Sequence, residues 1–402
     1  MDMRRVAVSS SLAPRGPASL DGVLVALVVL VSGSLYYSTY LQNTWLLIVL
    51  AIACARHLYR PGLLSRRAVF FSLTFILTAG LNPSLAISSY AVMVSRVTCA
   101  MLIVSAIPIR TFSHIFLQIV TALAAFSLFY LPATALGLQS PLPMFVSLDF
   151  IPIQNFILFS LNPFHMHNFR NCGLFWEPGG FQFFINLAFL LAIAYKQLRW
   201  GHAFVLMLAL LTTQSTTGYI VFALILIGYG STSALSPKLK TLGLGLSIFA
   251  LPITSILIDR VVLSKFAPDS SSFASFISRN QDFLLDWHIF LKHWLLGVGY
   301  GNLSVRAIYG PKFLGDSYYQ FLPTGADSLA IYVTQVGIFG LLMLIPLLFP
   351  RFLSGFNIFA RIIFATAILI LFNTESMFPF LISNVLLLYG LNEDSVQKKS
   401  GT

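Results

Sequence analysis

The sequence predicts an all-α integral membrane protein of about twelve transmembrane helices, and three observations carry that expectation. Of 402 residues, 57% are apolar and only 9% charged, where a soluble domain carries roughly 25% charged residues. Mean hydropathy is +0.85. Apolar runs of span length recur along the whole chain, with the basic residues in the short loops between them. The excess of 24 Lys and Arg over 13 Asp and Glu therefore reads as positive-inside orientation, not as a nucleic-acid surface.

A span needs about 20 apolar residues, with about 17 tolerated. Full-length candidates lie near 20–40, 85–107, 115–138, 241–259 and 326–349, and shorter ones near 43–58, 67–82, 180–195, 356–373 and 377–391. Arg4, Arg5 and Arg15 precede the first run and no small-residue cleavage site follows it, so it is expected to stay as an uncleaved span. The stretch 202–230 is long for one span and short for two, and Thr212-Thr213-Gln214-Ser215-Thr216-Thr217-Gly218 divides it. Loop charge decides the count. Arg56, Arg60, Arg66, Arg67, Arg110, Lys196, Arg199, Lys238, Lys240, Arg351, Arg361, Lys398 and Lys399 all fall on one side only if 202–230 is a tight hairpin of two short helices. Both termini are then cytoplasmic.

Residues 1–402 are expected to make a single polytopic domain with two larger loops on the non-cytoplasmic, periplasmic side, about 139–179 and 260–325. These hold almost every charge not used for topology: Asp149, Arg170, Glu177, Arg260, Lys265, Asp269, Arg279, Asp282, Asp286, Lys292, Arg306, Lys312 and Asp316. Function concentrates in loops held by a rigid scaffold. In the second loop, Phe283, Trp287, Phe290 and Trp294 recur at helical spacing from Asn280 to Leu296, with Asp282, Asp286 and His293 on another face. This predicts an amphipathic helix in the outer interface, its Trp residues at headgroup depth, ended by Gly297-Val298-Gly299-Tyr300-Gly301. Those glycines do not make a nucleotide loop, since no strand precedes them and no Lys-Ser/Thr follows.

Arg170 and Arg279 are the leading cations. A guanidinium pairs bidentately with phosphate and stays charged at any working pH, so two from different loops can hold a diphosphate and stabilise it as a leaving group. The plainer alternative is that either reaches lipid phosphates or pairs with Asp149 or Asp282. Glu177 precedes Pro178 and Gly179 at the start of a span. It is read as a general base or a ligand for sugar hydroxyls, or as a carboxylate that only complements the helix dipole. Asp327, at the mouth of the 326–349 span, is a second base candidate. Arg96 lies mid-span, where a charge faces a cavity or partner by default. His165 and His167 flank Met166, but no third ligand stands at suitable spacing, so no metal is expected. His167 and Gly173 join the substrate-binding set. Cys54, Cys99 and Cys172 show neither metal-ligand spacing nor a disulfide framework, and no motif implies a cofactor.

The order Arg170-x-x-Gly173-x-Phe175-x-Glu177-Pro178-Gly179, the Thr-Gln-Ser-Thr-Thr-Gly hairpin, Ser278-Arg279, Leu296-Gly297-Val298-Gly299-Tyr300-Gly301 and Gln335-Val336-Gly337-Ile338-Phe339-Gly340 resembles the bacterial O-antigen polymerase and O-antigen ligase superfamily. The resemblance covers about 165–340, and the N-terminal spans only in hydropathy. It implies an inner-membrane glycosyltransferase without nucleotide sugar or essential metal. Its substrates are undecaprenyl-diphosphate-linked glycans, donor and acceptor, at the periplasmic face, and a chain-length regulator protein is a further expected partner. By matching position, Arg170 and Arg279 would engage the diphosphate and Glu177 the glycan side. The ligase branch typically has a histidine where Gly325-Ala326-Asp327-Ser328 stands here, which favours a polymerase over a ligase acting on lipid A core. A lipid-linked sugar transporter or flippase is the alternative of another class; such proteins place sites at the midplane with broken helices.

Overall fold

The computed structural model describes residues 18–36, 42–59, 61–62, 64–136, 142–146, 152–161, 170–232, 271–302, 304–315, 328–374, 377 and 379–392. The fold is predominantly helical: α1 (Ala18–Val31), α2 (Gln42–Tyr59), α3 (Arg66–Gly80), α4 (Ile87–Ala106), α5 (Ile109–Ala135), α6 (Pro178–Ala194), α7 (Trp200–Thr213), α8 (Thr216–Gly230), α9 (Ser271–Lys292), α10 (Ser304–Leu314), α11 (Ser328–Val336), α12 (Ile338–Leu348), α13 (Ile358–Thr374) and α14 (Leu381–Leu391). Between α5 and α6 a small antiparallel sheet runs β1 (Leu142–Val146), β2 (Pro152–Asn155), β3 (Ser160–Leu161) in spatial order. The expected span 241–259 lies outside the described residues.

Apolar composition all round puts α6 at the centre. Every residue from Pro178 to Ile193 is buried, the pattern of a helix surrounded by others, and α5, α7 and α8 pack around it. α8 lies along α13, and α4 lies between α2 and α14. The outermost helix faces are apolar as well: Leu58 is 82% exposed, Ile87 79% and Trp200 75%. Among the described residues, Ile87–Ala106 and Ile109–Pro132 are long and apolar enough to cross a membrane by length and composition, and eight further apolar helices have 10–17 residues.

The predicted hairpin is present. Gln214 takes a left-handed conformation that stops α7, and Ser215 caps α8, its Oγ accepting the Gly218 N–H at 3.3 Å. The helices run in opposite directions. Near the start of α7, His202 meets Thr121 of α5, and near its end Asn171 bridges Thr212 to Ser127, so α7 is parallel to α5. Gly218 and Phe222 of α8 follow Asn186 and Phe189 of α6 in the same sense.

Helix ends gather at two faces. At one, the Arg56 guanidinium pairs with Asp21 at 2.6 Å and donates to the Ala106 carbonyl. The Tyr389 hydroxyl donates to the Ile107 carbonyl, Ser65 meets Leu391 and Asn392, Gln197 donates to the Arg110 carbonyl, the Tyr195 ring lies tilted against Phe352, and Asn357 donates to the Ser231 carbonyl. This face carries Arg56, Arg66, Arg110, Lys196, Arg199 and Arg351. The other face joins Leu35 to Leu174, Asn171 to Thr212, Ser32 to Ile382, Trp176 to Phe380 and Ala86 to Tyr300.

Three expectations are corrected. The first helix ends at Val31, not near 40, because Ser32 and Gly33 turn the chain; Gly33 (φ +97°) lies against the Trp176 ring, leaving no room for a side chain. The amphipathic helix runs from Ser271 to Lys292, not Asn280 to Leu296. The expected span 326–349 breaks into α11 and α12 at Gly337 (φ +71°, ψ −146°). There the 294–301 segment inserts its backbone: the Val298 N–H donates to the Thr334 carbonyl, Gly299 to Gln335, and Ile338 to the Trp294 carbonyl at 2.7 Å. A Cβ at Gly337 would stand 2.6 Å from the Leu295 oxygen, so only glycine admits this crossing.

Candidate functional site

The 170–177 loop is fixed from within. Asn171, fully buried, donates from Nδ2 to Ser127 Oγ at 2.8 Å and to Thr212 Oγ1 at 2.9 Å, and its Oδ1 accepts the Gly173 N–H at 3.0 Å. Gly173 sits at φ +55° against the face of Phe181. Its carbonyl accepts the Ser160 N–H at 2.8 Å, tying the loop to the sheet. Phe175 stacks on Phe184 at 4.5 Å. The loop is thus a rigid mount, not a tether.

Arg170 meets the hairpin tip. Its Nε donates to the Thr213 carbonyl and Nη2 to the Gln214 carbonyl, both at 3.0 Å. These neutral acceptors fix the guanidinium plane at the C-terminal end of α7, where the helix dipole favours a cation. Part of its role is therefore to hold the loop on the hairpin. Glu177 is the N-cap of α6 in extended conformation and its carboxylate makes no capping hydrogen bond; its place at the helix N-terminus suits a carboxylate that complements the dipole and leaves its oxygens clear of the cap. Burial pushes the Cys172 thiol up to about 12, with Arg170 opposing and Glu177 adding to the shift. Both charges therefore act on one point, and Cys172 is a neutral thiol, not a nucleophile.

Arg96 approaches the same region from α4. Its Nη1 donates to the Pro379 carbonyl at 2.9 Å, and its guanidinium lies 5.8 Å from the Phe380 ring centroid. Phe380 in turn contacts Trp176, the neighbour of Glu177, at 6.0 Å. A cation, an aromatic pair and a carboxylate-bearing loop thus follow one another along this face. Arg279 is carried separately by α9, whose packing partners are α10 and α11. Asp327 and His167, with His165, lie outside the described residues. Among the described residues no three His, Cys, Asp or Glu side chains gather in a way that would hold a metal ion.

Sequence reasoning missed an ionic core in the second loop. Arg306 on α10 reaches Asp282 at 2.5 Å and Asp286 Oδ2 at 3.2 Å. Its Nε is also 3.0 Å from Asp286 Oδ1, close enough for an ion pair but not aligned as a hydrogen bond. The Asp282 and Asp286 side chains are 0% and 1% exposed. Burial pushes Asp286 up to about 7, opposed by Arg306 and reinforced by Asp282. The i, i+4 acidic pair was visible in the sequence; its partner, 20 residues away across a turn, was not. The Asn171 web and the Trp176–Phe380 contact likewise had no local signal. No family model and no curated protein sequence matches the chain.

Proposed function

We propose that the chain is a multi-pass glycosyltransferase of the bacterial inner membrane that polymerises undecaprenyl-diphosphate-linked repeat units at the periplasmic face. The reading takes twelve spans with both termini cytoplasmic. What supports it most is the split of charge between the two helix-end faces. The loops rich in Arg and Lys share one face, and by the positive-inside rule that face is cytoplasmic. Arg170 and Glu177 then stand on the opposite, outer face, with Arg96 approaching through Phe380 and Trp176.

In this reaction an acceptor sugar hydroxyl attacks the donor's anomeric carbon. The new glycosidic C–O bond forms as the bond to the diphosphate oxygen breaks, and the diphosphate leaves with the bonding pair. Glu177 or Asp327 takes the hydroxyl proton. Arg170 and Arg279, with Arg96 behind them, stabilise the charge on the departing diphosphate, and fixed donors aimed at developing charge contribute several kcal/mol. Neither nucleotide nor metal is needed, because the diphosphate ester already carries the free energy for transfer.

The break at Gly337 favours a second reading, transport of a lipid-linked sugar, since broken helices build transporter sites. In such sites the freed backbone groups face the substrate. Here the N–H of Ile338 and the carbonyls of Thr334 and Gln335 are consumed by the 294–301 backbone, which makes the break a docking joint. The test is purified protein in liposomes given lipid-linked oligosaccharide alone. Polymer formed without nucleotide, metal or lipid A core supports the polymerase. Product only when lipid A core is added makes it a ligase, and translocation without a new bond makes it a transporter.

A further inference from the structure

Helix α9 is turned the opposite way from a helix bathed in water. Its acidic face, Asp282 and Asp286, is buried under Arg306. Phe283, Leu284, Trp287, Leu291, Trp294 and Leu295, on the helix and the turn that follows it, are each 43–57% exposed. At about 100° per residue these six form one continuous outward stripe. The orientation is locked from behind: Leu285 and Ile289 pack with Val298, and the Asp286 carbonyl accepts the Thr334 hydroxyl at 2.9 Å. Rolling the stripe inward would bring two carboxylates out of their ion pairs.

We propose that this stripe is seated in the outer monolayer of the membrane, with α9 lying along its surface. Two observations select lipid as the occupant. The first is charge. The acids are sequestered under Arg306, so the outward face of α9 presents no carboxylate to oppose the phosphates of a monolayer. The second is continuity. Gly299, just beyond α9, lies against the Ser84 and Leu85 backbone, and beside that contact Leu81 and Ile87 are 72% and 79% exposed at the ends of α3 and α4. The apolar outer surface of the bundle thus runs on into the α9 stripe. Trp287 and Trp294 are residues that favour this depth.

The proposal deepens the function proposed above and rests on its membrane placement. It assigns α9 a positioning role: the seated helix holds Arg279 at headgroup level, where the diphosphate of a carrier lipid emerges from the bilayer. The test uses the full chain in vesicles of phosphatidylethanolamine and phosphatidylglycerol, with Cys54→Ser removing the one exposed cysteine among Cys54, Cys99 and Cys172. Nitroxide labels are placed singly at Leu284→Cys and Leu291→Cys on the stripe, and at Leu77→Cys on the outer face of α3. Power saturation compares collision with oxygen, which enriches in lipid, against a water-soluble nickel chelate.

The expected result is a several-fold preference for oxygen over chelate at all three sites. Chelate preference at 284 and 291 with oxygen preference at 77 overturns the proposal and leaves the membrane reading standing. Chelate preference at all three overturns both. Dipolar broadening between labels on separate chains, at 284 or 291, overturns lipid in favour of a second copy of the chain.

Discussion

Gly173→Ala is the substitution whose cost the structure fixes most closely. The backbone there is left-handed at φ +55°, and a Cβ would stand 2.8 Å from Cδ2 and Cγ of Phe181 and 2.9 Å from Cδ1. A non-glycine residue in this conformation costs about 1–2 kcal/mol. Overpacking against an immovable ring adds about 1–3 kcal/mol, and Phe181 is fully buried beside Phe175. The expected loss is about 2–5 kcal/mol, felt first in the Arg170–Glu177 loop. Gly201→Ala and Gly22→Ala are controls of opposite sign. Both glycines sit in helices with nothing within 4 Å of the added carbon, so alanine there should be neutral or stabilising by up to about 1 kcal/mol. Thermal unfolding in detergent, followed by intrinsic fluorescence, compares the three. A Gly173→Ala protein that melts with the wild type, or below neither control, would refute the reasoning.

Arg170→Lys should shorten or abolish polymer although it keeps the charge, because an ammonium cannot span the Thr213 and Gln214 carbonyls and also offer a planar fork; chain length on gels at matched expression checks it. Asp327→Asn should stop elongation with membrane insertion unchanged, and if it elongates normally while Glu177→Gln does not, the base is Glu177. Asp286 is held up to about 7 in the folded chain against an ordinary value of 3.8. The folded chain therefore keeps a proton that the unfolded chain loses between about pH 4 and pH 7, and this group's contribution to stability falls as pH rises through that window. Asp286→Asn should flatten that slope in melting curves taken from pH 4.5 to 7.5. Arg306→Met should cost about 3–5 kcal/mol by leaving buried carboxylates uncompensated, most of it recovered when Asp282→Asn and Asp286→Asn are added.

The helices were legible because a helix in an apolar surround must be apolar over its whole length. The runs near 43–58, 67–82, 85–107 and 180–195 reappear within a few residues as α2, α3, α4 and α6. The hairpin was legible from loop charge together with its polar Thr-Gln-Ser-Thr-Thr centre, which the structure uses as a left-handed stop and a Ser215 cap. What the sequence hid are features made by backbone meeting backbone or by distant pairs. Gln335–Gly340 reads as continuous span because hydropathy is blind to the Trp294–Gly301 segment that enters there. Leu142–Leu161 reads as plain loop, since its strands are two to five residues long. At the site, Arg170 and Glu177 were found as charges in an apolar chain. The bonds that aim them, from Asn171, Ser160 and the hairpin tip, join residues 13 to 44 positions apart and follow no short pattern.

Under the proposed function, Arg170 and Arg279 converge on one lipid diphosphate at the outer face. Arg170→Cys and Arg279→Cys, combined in one chain with Cys54→Ser, test it with a short bifunctional maleimide that cannot cross the membrane, added to spheroplasts with and without undecaprenyl diphosphate. An intramolecular cross-link should form from the periplasmic side whether or not the lipid is present, since both guanidiniums that would hold its diphosphate have been replaced. Labelling of the two positions from opposite sides, or no cross-link although both react, would contradict it.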